Sequence, residues 1–209
     1  MSCGQDCVRW CLIIGVFGIS TLFLSMIKKW DEDFVVCNRK DMRKGQIIFC
    51  VMSIGLFAGQ EIGTIQSALG IMALGIYLVV CSVTDMLLCQ VHDVMQYLGM
   101  MGAFLWLWKK DILVTAGFSV IFFALVQYVL FMRMYGKADG MAFCICALYL
   151  TGKGAEIEGY LYHMAISFLM LAVVQLCKKN VSIKGKLKQQ VALYPYITAG
   201  FCVIWWYIR

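Results

Sequence analysis

Long apolar runs separated by short polar stretches dominate the chain. Four of these runs approach the roughly 20 residues that a helix needs to cross a bilayer. They are Trp10–Ile27, Ser67–Thr84, Ile112–Met132 and Val191–Ile208. A fifth run, Tyr160–Leu176, is nearly as long. The pattern therefore predicts an all-α, polytopic integral membrane bundle.

Three further apolar runs are shorter, so each could cross fully, re-enter the membrane or lie buried in the bundle. They are Ile47–Gly59, Val94–Trp108 and Met141–Leu150. With them the prediction becomes about eight transmembrane segments, and six is the lower bound. We expect a single transmembrane domain over residues 1–209. Residues 1–66 would hold the N-terminal spans and the polar stretch 28–46, which we interpret as a solvated loop, and residues 67–209 would form the core.

Composition supports a lipid environment. Hydrophobic residues make up 62% of the chain, charged residues 14%, and the mean hydropathy is +0.81, whereas a soluble domain is about a quarter charged. Lys28 and Lys29 follow the first apolar run rather than precede it, which favours a retained span over a cleaved signal peptide.

The distribution of positive charge predicts the topology. If the N-terminus lies outside and every segment crosses, most of the 18 lysines and arginines fall in inner loops, chiefly 28–46 and 177–190. That is the asymmetry expected of a membrane protein. Since the net charge of +6 is distributed over loops, no basic face remains, and we expect no nucleic-acid partner.

Acids at the ends of membrane spans are candidates for function, because charge there is costly. Asp85 ends the third segment and Asp139 directly precedes the sixth. The predicted topology places both at inner span ends, so the two carboxyls could converge. Asp93 competes with Asp85, but Asp85 directly adjoins its span and is preferred.

Two carboxyl groups in close contact share one proton. The ionised partner takes a proton from a water between them, and the protonated partner donates to a substrate carbonyl. Such a pair can hydrolyse a peptide bond without a metal or a covalent intermediate.

Three short segments resemble motifs of one family. Gly136-Lys137-Ala138-Asp139 is similar to the GxGD motif of type IV prepilin peptidases and preflagellin peptidases, with alanine for the second glycine. Residues 84–93 resemble the first motif of that family, with His92 and Asp93 where the family has proline and asparagine. Residues 194–197 (YPYI) resemble its C-terminal Pro-Tyr segment. The resemblance covers roughly residues 67–205.

The resemblance implies an intramembrane aspartyl endopeptidase that removes a short leader from pilin-like precursors at the cytoplasmic face of a prokaryotic inner membrane. Asp85 and Asp139 would be the catalytic pair. The residues expected to shape the active-site turn or contact the substrate are Thr84, His92, Gly136, Lys137, Ala138 and Gly140. Which precursor is cleaved stays open.

We expect no metal and no cofactor. Some large members of the family carry a zinc-binding tetracysteine insert and methylate the new N-terminus, whereas this chain has Cys37 alone in the comparable loop. The expected partners are prepilin-like membrane proteins and the bilayer itself.

Two other functions remain open from the sequence. In a small ion-coupled transporter, Asp85 and Asp139 would relay protons, although such proteins usually show two similar halves. In a non-enzymatic assembly factor of a pilus or secretion system, both positions would tolerate neutral residues.

Overall fold

The computed structural model describes residues 3–208 except 32–33, 35–36, 58–63, 109–111 and 178–190. This part of the chain is all-helical and contains no strand. Its first four helices are α1 (Cys3–Trp30), α2 (Arg39–Phe57), α3 (Ile65–Leu88) and α4 (Asp93–Leu107). The other four are α5 (Ile112–Val126), α6 (Lys137–Thr151), α7 (Ile157–Cys177) and α8 (Tyr194–Tyr207).

Within the described residues, each of the eight predicted apolar runs corresponds to a helix of its own, and the all-α prediction is confirmed for them. Most helix bounds differ from those of the runs; α1 begins at Cys3, for example, and α8 begins only at Tyr194. The prediction that the polar stretch 28–46 forms a continuous loop was wrong, because α2 begins at Arg39. The Asn38 side chain caps this helix by accepting a hydrogen bond from the backbone N–H of Lys40 (3.0 Å). α5 passes through five residues of π-helix, Gln127–Phe131, into a last turn, Met132–Tyr135.

Length and apolarity single out three stretches that could cross a membrane: Asp6–Trp30, Ile65–Leu88 and Ile157–Cys177. Among the described residues, α5 adds a shorter apolar stretch, Gly117–Leu130. The count of about eight spans therefore stays a prediction.

Consecutive helices alternate in direction, so that the bundle has two distinct ends. Tyr194 at the start of α8 bonds to Asp85 near the end of α3. At the opposite end, the indole of Trp205 in α8 donates to Leu56 O in α2 (3.1 Å). The indole of Trp106 in α4 donates there to Tyr149 O in α6 (3.1 Å). We call the end with Asp85 the carboxylate end.

α3 is the central helix of the bundle. In its most apolar 18-residue window 78% of the residues are buried, against 28% for α1 and 22% for α7. α3 and α4 approach closely through two glycines. A Cβ on Gly70 would lie 2.8 Å from the backbone nitrogen of Trp106, and a Cβ on Gly102 would lie 2.6 Å from the Cβ of Ala73. Small residues at such crossings let helix backbones meet in lipid. At the other end of α3, Asp85 lies beside the first residue of α8.

Candidate functional site

Asp85 is held by the N-terminus of α8. Its side chain lies in the last turns of α3 and is buried, at 7% exposure. Its Oδ2 accepts a hydrogen bond from the backbone N–H of Tyr194 (2.8 Å), the first residue of α8. The first N–H groups of a helix have no partner within the helix and carry partial positive charge, so an acid there is stabilising. Asp85 thus caps α8 from a different helix.

Asp139 lies in the first turn of α6 and is half-buried. A Cβ on Gly136 would lie 3.6 Å from its Oδ2, so the carboxyl folds back over the turn that begins α6. Within the described residues, the Asp139 carboxyl makes no hydrogen bond. It lies close enough to Asp85 for the two charges to interact. One acid is therefore fixed by a hydrogen bond, and its partner is accessible.

Gly136 makes the sharp turn between α5 and α6 possible. Its backbone has φ 109° and ψ 153°, a region that is essentially restricted to glycine. Its carbonyl accepts the backbone N–H of the buried Gly140 (3.2 Å), which starts the ladder of α6. The turn fixes the direction in which α6, and with it Asp139, leaves the end of α5.

Tyr194 connects the segments of the two acids. While its backbone N–H binds Asp85, its phenolic hydroxyl donates to the carbonyl of Ala138 (3.2 Å), the residue before Asp139. The three segments that carry the family resemblance are far apart in the sequence, yet they meet at this tyrosine.

Tyr77 and Gln96 complete a buried polar cluster around the Tyr194 hydroxyl. The amide of Gln96, in the first turn of α4, donates to that hydroxyl and to Ala138 O (3.4 Å). The hydroxyl of Tyr77 in α3 donates to Gln96 Oε1 (3.0 Å) and lies 3.1 Å from the Tyr194 hydroxyl. Buried polar groups of this kind fix helix positions only when every member has a partner, and here each one does. The cluster therefore sets the relative positions of α3, α4, α6 and α8.

Sequence reasoning missed Tyr77 and Gln96 because it took acids at the ends of spans as the candidates for function. Gln96 carried a signal, since an amide near the start of an apolar helix needs hydrogen-bond partners when it is buried, as an acid does. Tyr77 carried none, because an aromatic residue in an apolar run normally belongs to the packing.

Among the described residues, the side chains of three other predicted site residues make no hydrogen bond or ion pair with either acid. The Thr84 hydroxyl bonds back to Val80 O (3.1 Å) in its own helix. His92 Nε2 lies 3.6 Å from Asp31 Oδ2, just beyond α1. Lys137 is exposed at the start of α6. The structure thus brings together Asp85, Ala138, Asp139 and the Gly136 turn, but not these side chains.

The competing acid and a neighbouring thiol are less suited to chemistry. Asp93 is exposed at the start of α4. Cys89 follows α3 in the left-handed conformation, with φ 53°. Partial burial, and then the charge of Asp85, raise the pKa of the Cys89 thiol. The thiolate, which is the nucleophilic form of cysteine, is therefore disfavoured beside this site.

Among the residues that the structure describes, no three His, Cys, Asp or Glu side chains are grouped so that they could hold a metal ion. Comparison of the chain with protein-family models, with curated proteins and with solved structures finds no match.

Proposed function

We propose that the protein is an intramembrane aspartyl endopeptidase of the prepilin-peptidase kind, which removes the leader peptide from pilin-like membrane precursors. The observation that supports this most is the double role of Tyr194, which binds Asp85 through its backbone and the residue before Asp139 through its side chain. Three segments that resemble one family's motifs thereby share one site.

In the proposed reaction the two carboxyls share one proton and hold a water between them. The ionised carboxyl takes a proton from this water as it attacks the peptide carbon, while the protonated one donates to the carbonyl oxygen. The accessible side of Asp139 leaves room for substrate and water, and the fixed Asp85 limits the movement of the pair. Because the pair titrates as a unit, neither residue has a permanent role.

The proposal includes a topology. All eight helices would cross, the N-terminus would lie outside, and the carboxylate end would face the cytoplasm of a prokaryotic cell. Arg39, Arg43 and Lys44 at the start of α2, and Arg133 near the end of α5, lie at the carboxylate end, as the positive-inside rule requires. A cytoplasmic site would meet the leader before the apolar helix of a precursor.

A second candidate is a non-enzymatic assembly factor of a pilus or secretion system. The capping of α8 by Asp85 favours it, because this bond is by itself a structural reason for a buried carboxylate at this position. The two functions predict different effects of asparagine at position 85 or 139: a peptidase would lose cleavage, whereas an assembly factor would keep its function.

Co-expression with a pilin-like precursor, followed by reading of the product N-terminus, tests the proposal. Asp85→Asn and Asp139→Asn should each abolish cleavage, while Asp93→Asn, an exposed acid from the same loop region, should retain it. Asparagine at position 85 can still accept the Tyr194 N–H, so membrane insertion and unfolding midpoint should stay near wild type. Cleavage that persists in either Asp85→Asn or Asp139→Asn would refute the catalytic pair. Full assembly function in both would favour the second candidate.

A further inference from the structure

A cleft between α1 and α2 opens at the carboxylate end, apart from the acids. Its volume is about 690 Å³. The residues that line its walls include Phe17, Thr21 and Lys28 from α1 and Arg39 and Arg43 from α2. On each helix the lining residues are spaced so that they fall on one face, and that face lines the cleft.

Positive charge collects at the mouth of this cleft. Lys28, Lys29, Arg39 and Arg43 all line it. In the described part of the chain, no carboxylate lies within ion-pair distance of these four cations. Lys28 donates one hydrogen bond to Cys37 O (2.8 Å) and keeps further donors. The mouth therefore offers several cations to an anion.

The inner part of the cleft is apolar. Phe17 and Ile47 line it and are 46% and 53% exposed, so this apolar wall is accessible from outside the bundle. Phe17 lies about 16 Å below Lys28 along α1, at about 1.5 Å per residue. Between the two levels, Gln46 donates to Thr21 Oγ1 (2.7 Å) and Phe17 O (3.1 Å), which ties α1 to α2. Cations above and an apolar wall below match the two parts of a phospholipid.

We infer that this cleft binds an anionic phospholipid of the cytoplasmic leaflet, with its phosphate among the cations of the mouth and an acyl chain along Phe17 and Ile47. Basic pockets between membrane helices recognise such headgroups, and arginine presents paired donors to phosphate. A free phosphate would use the same cations but would gain nothing from the apolar wall. The inference does not depend on proteolytic activity.

The test uses the full chain in neutral detergent and measures its unfolding midpoint and native mass. Added phosphatidylglycerol should raise the midpoint and remain bound, whereas phosphatidylcholine and inorganic phosphate at equal concentration should do neither. Arg39→Gln/Arg43→Gln should weaken phosphatidylglycerol binding by about tenfold or more, which corresponds to about 1.4 kcal/mol. Lys40→Gln/Lys44→Gln is the matched control, because it removes the same charge from the same helix but outside the cleft.

Three results would overturn the inference. One is equal stabilisation by phosphatidylcholine, which would indicate general lipid solvation, and another is full stabilisation by phosphate alone, which would indicate a soluble anion. The third is an equal loss of binding in the two double variants, which would indicate long-range charge. If Arg39→Gln/Arg43→Gln fails to fold, Lys28→Gln/Lys29→Gln tests the same mouth from α1.

Discussion

Tyr194 contacts the segment of Asp85 through its backbone and the segment of Asp139 through its hydroxyl, and Tyr194→Phe removes only the second contact. The backbone N–H that binds Asp85 remains, whereas the hydroxyl that bonds to Ala138 O and Gln96 is lost. A net hydrogen bond contributes about 0.5–1.5 kcal/mol, and a stranded buried partner costs about 1–3 kcal/mol. Bonds between membrane helices are at the low end, near 0.6 kcal/mol on average. We expect a loss of about 1–3 kcal/mol in unfolding free energy.

The same substitution should slow cleavage, because Ala138 directly precedes Asp139 and loses a hydrogen bond that positions it. Misplacement of one reacting group costs up to about 100-fold in rate, so we expect kcat/KM to fall by about 10- to 100-fold. The assays are leader cleavage and unfolding in detergent. Tyr196→Phe is the control, since Tyr196 is half-buried in the same helix and its hydroxyl makes no bond within the described residues.

A double-mutant cycle with Gln96→Leu refines this prediction. If the two residues act through one cluster, their effects on stability should be non-additive by about 0.5 kcal/mol or more. The reasoning would be refuted if Tyr194→Phe matched Tyr196→Phe in both stability and rate, or if the cycle were additive.

Three further substitutions test the fold around the site by unfolding midpoints. Gly136→Ala should cost about 1–3 kcal/mol, because alanine is strained at φ 109°, and an unchanged midpoint would contradict that turn. Gly70→Ala should cost about 1–3 kcal/mol, since its Cβ would meet the α4 backbone at 2.8 Å. Gly18→Ala, with nothing within 4 Å, is the control for both and should be neutral or stabilising. Asp85→Ala should cost about 0.5–2 kcal/mol more than Asp85→Asn, because alanine removes the cap of α8; equal midpoints would show that the cap adds no stability.

The sequence predicted the helices well because long apolar runs have few alternatives in lipid. Helix bounds were harder to predict where a local bond decides them. The Asn38 side chain starts α2 eight residues before its apolar run, and α8 begins only at Tyr194, with Pro195 in its first turn. Nothing in the run over α5 indicated the π-helix of Gln127–Phe131.

The candidate site was predictable only in part. Asp85 and Asp139 could be found because ionisable groups at span ends are costly. The partners of Tyr194 could not, since the bonds of Tyr77 and Gln96 join helices whose packing order the sequence does not state. The resemblance to the family's first motif implied that His92 lies near the acids, but its ring lies beside Asp31.

The most direct test of the account uses a peptide that spans the leader cleavage site and carries a hydroxyl in place of the scissile carbonyl. The hydroxyl takes the position of the water between the two carboxyls, and such analogues bind about 10²- to 10⁸-fold more tightly than substrates. A photoreactive version should label the wild-type protein and Asp93→Asn, but neither Asp85→Asn nor Asp139→Asn. Equal labelling of all four proteins would show that Asp85 and Asp139 do not hold this hydroxyl together.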